Sequence, residues 1–266
     1  MNNLEIKTIV IEQLTYDLNC KQKDFFIDNK VINNSLHKNR RYFFPRFLHA
    51  INLNQNVVVA CDKSIKPWIE SFIKTFPGYR FFDSIQLNVI NKELSKYNQQ
   101  IGMIGEYFLP DVDKIKTEEV SFKYEILKNE DIYKLYKDKR FPMALMYETK
   151  AKRKDNLAIV AYDSNDNIMG VAGSTLDSNY MCSVGVDVIK KYRNKGIGLD
   201  LTKFLTKALL DDGYIPYIGA SIGNIASKNL AHKAGYYPFW IELETYTIKK
   251  ANQYLAKKYK NLYQFY

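Results

Sequence analysis

Alternating and helical patterns take turns along the second half of the chain. Residues 157–163 and 168–176 are apolar runs separated by Ser164-Asn-Asp-Asn167, a composition suited to a tight reversal, and together they predict a β-hairpin. Residues 180–188 alternate, with Cys182, Val184, Val186 and Val188 on one side and Ser183, Gly185 and Asp187 on the other, the two-residue period of a strand. Then the period changes. Apolar residues at 197, 201, 204, 205 and 208, with Asp200, Lys203 and Lys207 opposite, predict a helix over 197–210 that lays one face on a core. Residues 214–221 read as a further strand. Asn224 caps a helix running to 234, Gly235 ends it through its tolerance of left-handed geometry, and 236–246 returns as a strand. Upstream, 121–127 reads as a strand, 130–137 as a short helix and 141–148 as another. Beyond 247 the tail reads as helical, with Tyr254, Leu255 and Tyr259 as its apolar contacts.

The first half predicts a smaller mixed α/β domain. Residues 57–60 form a short buried strand, 64–75 a helix with Pro67 in its first turn, 85–97 a second helix and 101–109 a strand. The polar stretch 110–119 reads as a linker. This gives an N-terminal domain over 1–115, a second domain over 121–246 and a tail over 247–266. Residues 38–47 interleave bases with aromatics, a pattern that can stack nucleobases and pair phosphates. A strand with inward aromatics and snorkelling bases is the preferred reading, because this half carries little net charge.

Composition narrows the class. With 266 residues, 46% hydrophobic and 26% charged, the chain has the make-up of a globular protein with room for two cores. The N-terminus places Glu5 and Glu12 around a short apolar stretch and shows no small-residue cleavage site, so a cytoplasmic location is expected. Cys20, Cys61 and Cys182 are scattered, and His37, His49 and His232 do not cluster with them, so neither a disulfide framework nor a metal site is expected. The net charge of +10 sits mostly in residues 121–266, which hold 23 Lys/Arg against 15 Asp/Glu. Its clusters lie at 150–154, 190–195 and 249–260; the first and third read as solvated surface.

The middle cluster changes the picture, because it lies in a turn between the alternating strand and the helix. A helix start offers unpaired backbone N–H groups at the positive end of its dipole, which together bind anions. Gly196 and Gly198 let a diphosphate approach the backbone, and Arg193 and Lys195 add full charges. A dinucleotide site of the Gly-x-Gly-x-x-Gly type is disfavoured, since that pattern is missing and hairpin strands precede the turn.

Three features make residues 121–246 resemble the GNAT superfamily of N-acetyltransferases. Arg193-Asn-Lys-Gly-Ile-Gly198 is similar to that family's pyrophosphate loop, with Val188 ending the strand before it. Asn224 opens the next helix after a strand, and Gly235-Tyr236 follows eleven and twelve residues later. The whole chain also resembles a two-domain bacterial subgroup of the family. The resemblance implies a splayed mixed β-sheet flanked by helices, preceded by the smaller α/β domain, which would cover the acceptor side or form a homodimer contact.

The resemblance further implies acetyl-CoA as cofactor. Val186 and Val188 would make main-chain contacts to the pantetheine, and the turn residues Arg193, Asn194, Lys195, Gly196, Ile197 and Gly198 would hold the pyrophosphate. Lys190 and Lys191 are alternatives for the ribose phosphate, while Asn224 and Ser221 would hydrogen-bond the arm near the sulfur. Chemistry would be direct attack of a primary amine, from a small molecule or a peptide, on the thioester. Two departures stand out: Ala231 occupies the position of a tyrosine acid and Val184 that of a glutamate. The remaining catalytic candidates are Asp187, Tyr147 and Glu148, followed by Asp177. Asp187 has an equally good reading as a carboxylate bonding neighbouring loop amides, and Cys182 reads as a small core residue. A non-catalytic acyl-CoA-binding module is the alternative function; an RNA-associated protein ranks below both, and no membrane partner is expected.

Overall fold

The alternating runs pair as strands and the 3.6-residue pattern forms helices in a computed structural model that describes residues 1–35, 37–41, 46–149 and 153–258. In chain order the elements are α1 (Asn3–Leu18), β1 (Lys30–Asn33), β2 (Leu48–Leu53), β3 (Asn56–Cys61), α2 (Lys66–Phe72), α3 (Ser84–Ser95), β4 (Gln99–Pro110) and β5 (Lys123–Lys128). They continue with β6 (Asp155–Tyr162), β7 (Ile168–Leu176), β8 (Met181–Val188), α4 (Ile197–Asp211), β9 (Ile215–Ser221), α5 (Ile225–Lys233), β10 (Tyr236–Thr247) and α6 (Ile248–Lys258). No described helix is long and apolar enough to cross a membrane.

Two compact units emerge: residues 1–13 with 107–239, and residues 14–106 with 240–266. The changeovers fall within α1, β4 and β10, so the polar stretch 110–119 lies inside the first unit and 240–246 inside the second.

In the first unit the strand order is β9-β8-β7-β6-β5, with the end of β4 beside β9. From β5 to β8 each neighbouring pair is antiparallel, and β8 and β9 run parallel. The result is the mixed α/β sheet flanked by helices that was expected. β6 shows why a continuous apolar run becomes a strand here. Leu157, Ile159 and Ala161 pack with Leu201, Leu205 and Leu209 of α4, while Ala158 and Val160 pack with Ile132, Leu135 and Phe141. A strand covered on both faces has no solvent side and so loses its alternation. Each such fully buried Leu or Ile contributes about 1.5–3 kcal/mol.

The second unit orders its strands β1-β3-β2-β10, with the first part of β4 next to β10. One face buries Ala50, Val57, Val59 and Leu243 with Ile69 of α2 and Ile90 and Leu94 of α3. Elsewhere in this unit a buried charge network joins Asp17, Arg41, His49 and Glu242. Arg41 bonds Asp17 through Nε at 2.5 Å and reaches Glu242 at 3.1 Å, and His49 Nε2 lies 2.6 Å from Glu242 Oε1.

Four expectations are corrected. Residues 141–148 form a turn and irregular chain rather than a helix. Pro142 follows Phe141, Tyr147 has a positive φ of 59°, and the amides of Met143, Ala144 and Met146 are taken by Asp187 and Asp155. Side-chain acceptors on the sheet thus take these amides, and Leu145 keeps a single i→i−4 bond, to the Phe141 carbonyl. The short helix near 130–137 is a 3₁₀ helix over Asn129–Lys137. Residues 38–41 are turn and bend rather than strand, and Arg41 is buried in the ion-paired network above; residues 42–45 lie outside the described chain. In α6, Tyr254 and Leu255 are exposed and Ala251 is the buried contact, while Tyr259 lies outside the described residues. Helix α1 is additional to the expected elements. Its signal is the spacing of Ile6, Val10, Leu14 and Leu18, all fully buried or nearly so.

Candidate active site

The site begins where two parallel strands part. β8 and β9 pair through Met181–Ile215, Cys182–Pro216 and Ser183–Tyr217, and there the register ends, although β8 continues to Val188 and β9 to Ser221. On its other edge β8 stays paired with β7 all the way to Val188. The two strands therefore diverge as a V whose inner edges carry backbone groups released from the ladder. A cavity of about 280 Å³ fills the opening. Val184, Gly185 and Val186 line one wall and Ile218 and Gly219 the other; Asn224, Ser227 and Leu230 of α5 cover one side, and Met143 closes another.

At the far end of β8 the chain enters the basic turn. Amides flanking the turn are committed: Tyr192 and Arg193 donate to Ile189 and Lys190, while Leu199 and Asp200 donate to the Gly196 carbonyl. The amides of residues 194–198 take no part in those bonds, and they open α4. Asn194 and Gly196 have positive φ of 61° and 82°, which folds the backbone into a concave turn. A side chain on Gly198 would press on Val188 Cγ2 at 3.3 Å, so glycine there keeps the strand end and helix start together.

Charges around the turn are anchored rather than loose. Arg193 Nε donates to the Val188 carbonyl at 2.9 Å, and Lys191 and Lys195 both lie over the Tyr192 ring. Tyr192 itself donates to Asp163 at 2.5 Å, a bond that, with the Asn167 and Asn165 contacts, holds the Asp163 carboxyl well below its ordinary range. Asp200 is the acidic residue of the first turn of α4, and burial raises its carboxyl pKa.

The remaining site residues fall into place around this frame. Asn224 caps α5, its side-chain oxygen accepting the Ser227 amide at 3.1 Å, which leaves its NH₂ as the outward donor. Ser221 is exposed at the end of β9. Asp187 accepts the amides of Met143 at 2.6 Å and Ala144 at 3.0 Å through one oxygen. Tyr147 donates to the Asp138 carbonyl and accepts from the Phe141 amide, and burial raises its pKa. Glu148 is exposed beside it. Asp177, by contrast, is buried, accepting from Tyr217 at 2.5 Å and pairing with Arg153. Ala231 is fully buried against Phe108 and Tyr236, and the Cys182 thiol is pushed up to about 12 by burial, the state of an inert core residue. Gly219, Ser227 and Met143 line the cavity without having been marked in the sequence. Gly219 has a signal, a lone glycine within a strand pattern; the other two carry none.

One cluster with metal-ligand chemistry exists among the described residues, His49, Glu242 and Glu244 in the second unit. Each of its three side chains is already hydrogen-bonded within the protein. Glu242 is bonded by Arg41, His49 and Trp240, and Glu244 by Arg46.

The profile of the acetyltransferase (GNAT) family matches residues 124–236, a stretch that begins in β5 and ends as β10 starts. Residues 124–236 form a GNAT acetyltransferase domain. It contains the V-shaped opening and the glycine turn. No curated protein matches the chain. Among solved structures, a GCN5-related N-acetyltransferase from Kribbella flavida is similar at 12% identity and TM-score 0.47, over 79% of this chain and 84% of that one. A putative GNAT acetyltransferase from Novosphingobium aromaticivorans is similar at 12% identity and TM-score 0.43, over 56% of this chain and 66% of that one, just under two thirds of its length. A GCN5-related N-acetyltransferase-like protein from Streptococcus suis gives 16% identity and TM-score 0.42, over 62% and 69%.

Proposed function

We propose that the protein is an acetyl-CoA-dependent N-acetyltransferase acting on a primary amine of a small molecule or peptide. The observation that carries this reading is that the strand lining the opening leads straight into the glycine turn. The V opened beyond Ser183 and Tyr217 runs along Val184–Val188 to a glycine turn with a helix start behind it. A thioester on a long arm ending in a diphosphate fits that shape. Amides of Asn194–Gly198 bind the pyrophosphate, with Arg193 and Lys195 supplying charge. The edge of β8 at Val186 and Val188, where the Val188 carbonyl also accepts Arg193, pairs with the pantetheine amides as an added strand would. The Asn224 NH₂ donates to the arm near the sulfur, with Ser221 beside it.

In the reaction the amine nitrogen attacks the thioester carbon, the C–S bond breaks towards sulfur, and the nitrogen loses its proton. The chain contributes alignment of the two reactants and a main-chain N–H at the parted strand edge for the oxyanion. Asp187, Tyr147 and Glu148 border the acceptor side. The bonds of Asp187 and Tyr147 to the 138–144 segment support a role in holding that wall, which leaves deprotonation of the amine to Glu148 or to water.

A second reading, an acyl-CoA-binding module without turnover, is favoured by Ala231 and Val184, neither of which can exchange a proton. Calorimetric titration with acetyl-CoA followed by thiol release over a panel of amines tests both. Binding with release supports the enzyme, binding without release supports the module, and no binding at millimolar thioester removes both.

A further inference from the structure

We infer that Tyr107 sets the size of the acyl group, confining the site to short acyl chains; this rests on the acyl-CoA reading above. Gly185 on β8 and Gly219 on β9 both line the opening, and the β8–β9 register, continued two residues past Ser183–Tyr217, sets them opposite each other. The space behind each is already taken. A Cβ on Gly219 would meet Tyr107 Cε1 at 2.9 Å and Cδ1 at 3.2 Å. A Cβ on Gly185 would collide with the Met143 carbonyl oxygen.

Neither backing can swing away freely. Tyr107 is 7% exposed and its ring packs against Tyr217, with centroids 6.1 Å apart, while the Tyr217 hydroxyl is held by the buried Asp177. The Met143 carbonyl belongs to a segment whose amides are pinned by Asp187. An arm laid from the Gly196 turn along α4 and α5 brings its thioester to this glycine pair. Whatever stands beyond the carbonyl carbon then meets an aromatic edge on one side and a fixed carbonyl on the other. An acetyl group fits such a slot. A chain longer by several methylenes has to displace the ring.

Isothermal titration with coenzyme A, acetyl-CoA and hexanoyl-CoA decides the matter without any acceptor amine. The wild-type protein should bind acetyl-CoA at least about tenfold more tightly than hexanoyl-CoA. Tyr107→Ala should bring the two affinities within about threefold of each other while leaving coenzyme A itself unchanged, and Tyr107→Phe, which keeps the ring, should restore the preference. Gly219→Ala should weaken acetyl-CoA binding, and adding Tyr107→Ala to it should recover the loss. Equal wild-type affinities for the two thioesters, or a preference that survives Tyr107→Ala, would overturn the assignment even if acetyl-CoA binds tightly. Should Tyr107→Ala fail to fold, the wild-type ratio and the Gly219→Ala titration still decide. If none of the three ligands binds, the acyl-CoA reading falls and this inference with it.

Discussion

Gly173 and Gly185 are direct register partners in the β7–β8 pair, and the backbone of residues 143–144 rests on both. At Gly173 the obstacle to a side chain is the Ala144 carbonyl, at Gly185 that of Met143. Both positions are therefore glycine for close approach, not for φ. Gly173→Ala and Gly185→Ala should each destabilise the protein by about 1–3 kcal/mol, because the neighbour is backbone and cannot step aside. Gly223→Ala, where nothing lies within 4 Å, should sit within about 0.5 kcal/mol of wild type. Denaturant midpoints at constant slope measure the difference.

The same wall defines a test of Asp187. Its carboxylate oxygen satisfies the Met143 and Ala144 amides, a task an asparagine side-chain oxygen can also perform. Asp187→Asn should therefore keep stability and turnover near wild type, whereas Asp187→Ala leaves both amides unpaired and should lose about 1–3 kcal/mol. If Asp187 were the general base, Asp187→Asn would fold normally yet lose about 100-fold or more in kcat and the acidic limb of its pH profile.

Legibility followed the range of the interactions. The hairpin of β6 and β7, the strand β8 and helix α4 were readable because their periodicity reports burial on a neighbouring face, and Asn224 and Gly235 were readable because caps act over three or four residues. The segment 141–148 was misread for the opposite reason. Its amides are captured by Asp187 and Asp155, 9 to 44 residues away, and no local pattern announces such partners. In the same way, Tyr107 becomes relevant only because β4 lies beside β9, a pairing across about a hundred residues that a single sequence does not display. Arg41 looked like part of a basic surface run, and its burial depends on Asp17 and Glu242 reaching it from distant positions.

Gly196 separates backbone strain from ligand repulsion. It has a φ of 82°, yet the nearest atom to an added Cβ is Asp200 Oδ2 at 3.7 Å. Gly196→Ala should therefore lose only about 1 kcal/mol of stability, from the left-handed conformation rather than from a clash. Gly196→Asp places a second carboxylate where the diphosphate belongs, and calorimetry should show acetyl-CoA affinity falling by about tenfold or more beyond the alanine variant. Equal affinities for the two variants would place the diphosphate elsewhere.

The buried network of the second unit predicts an acid limit to stability. Burial alone would raise the pKa of Glu242, but Arg41, His49 and Trp240 outweigh it and bring the carboxyl from 4.5 down to about 2. The unfolded chain thus binds this proton more readily than the folded one, so the contribution is present above about pH 4.5 and is lost as the pH falls towards 2. Glu242→Gln removes the titrating group and should flatten that part of the pH–stability curve. At neutral pH the same variant removes the negative charge that Glu242 presents to the buried Arg41, and it should be less stable by about 3–5 kcal/mol. Urea unfolding between pH 7 and pH 3 distinguishes the two effects, with Trp240, which donates to Glu242 at 3.0 Å, as a fluorescent reporter. A variant as acid-sensitive as wild type would mean that another carboxylate governs the low-pH limit.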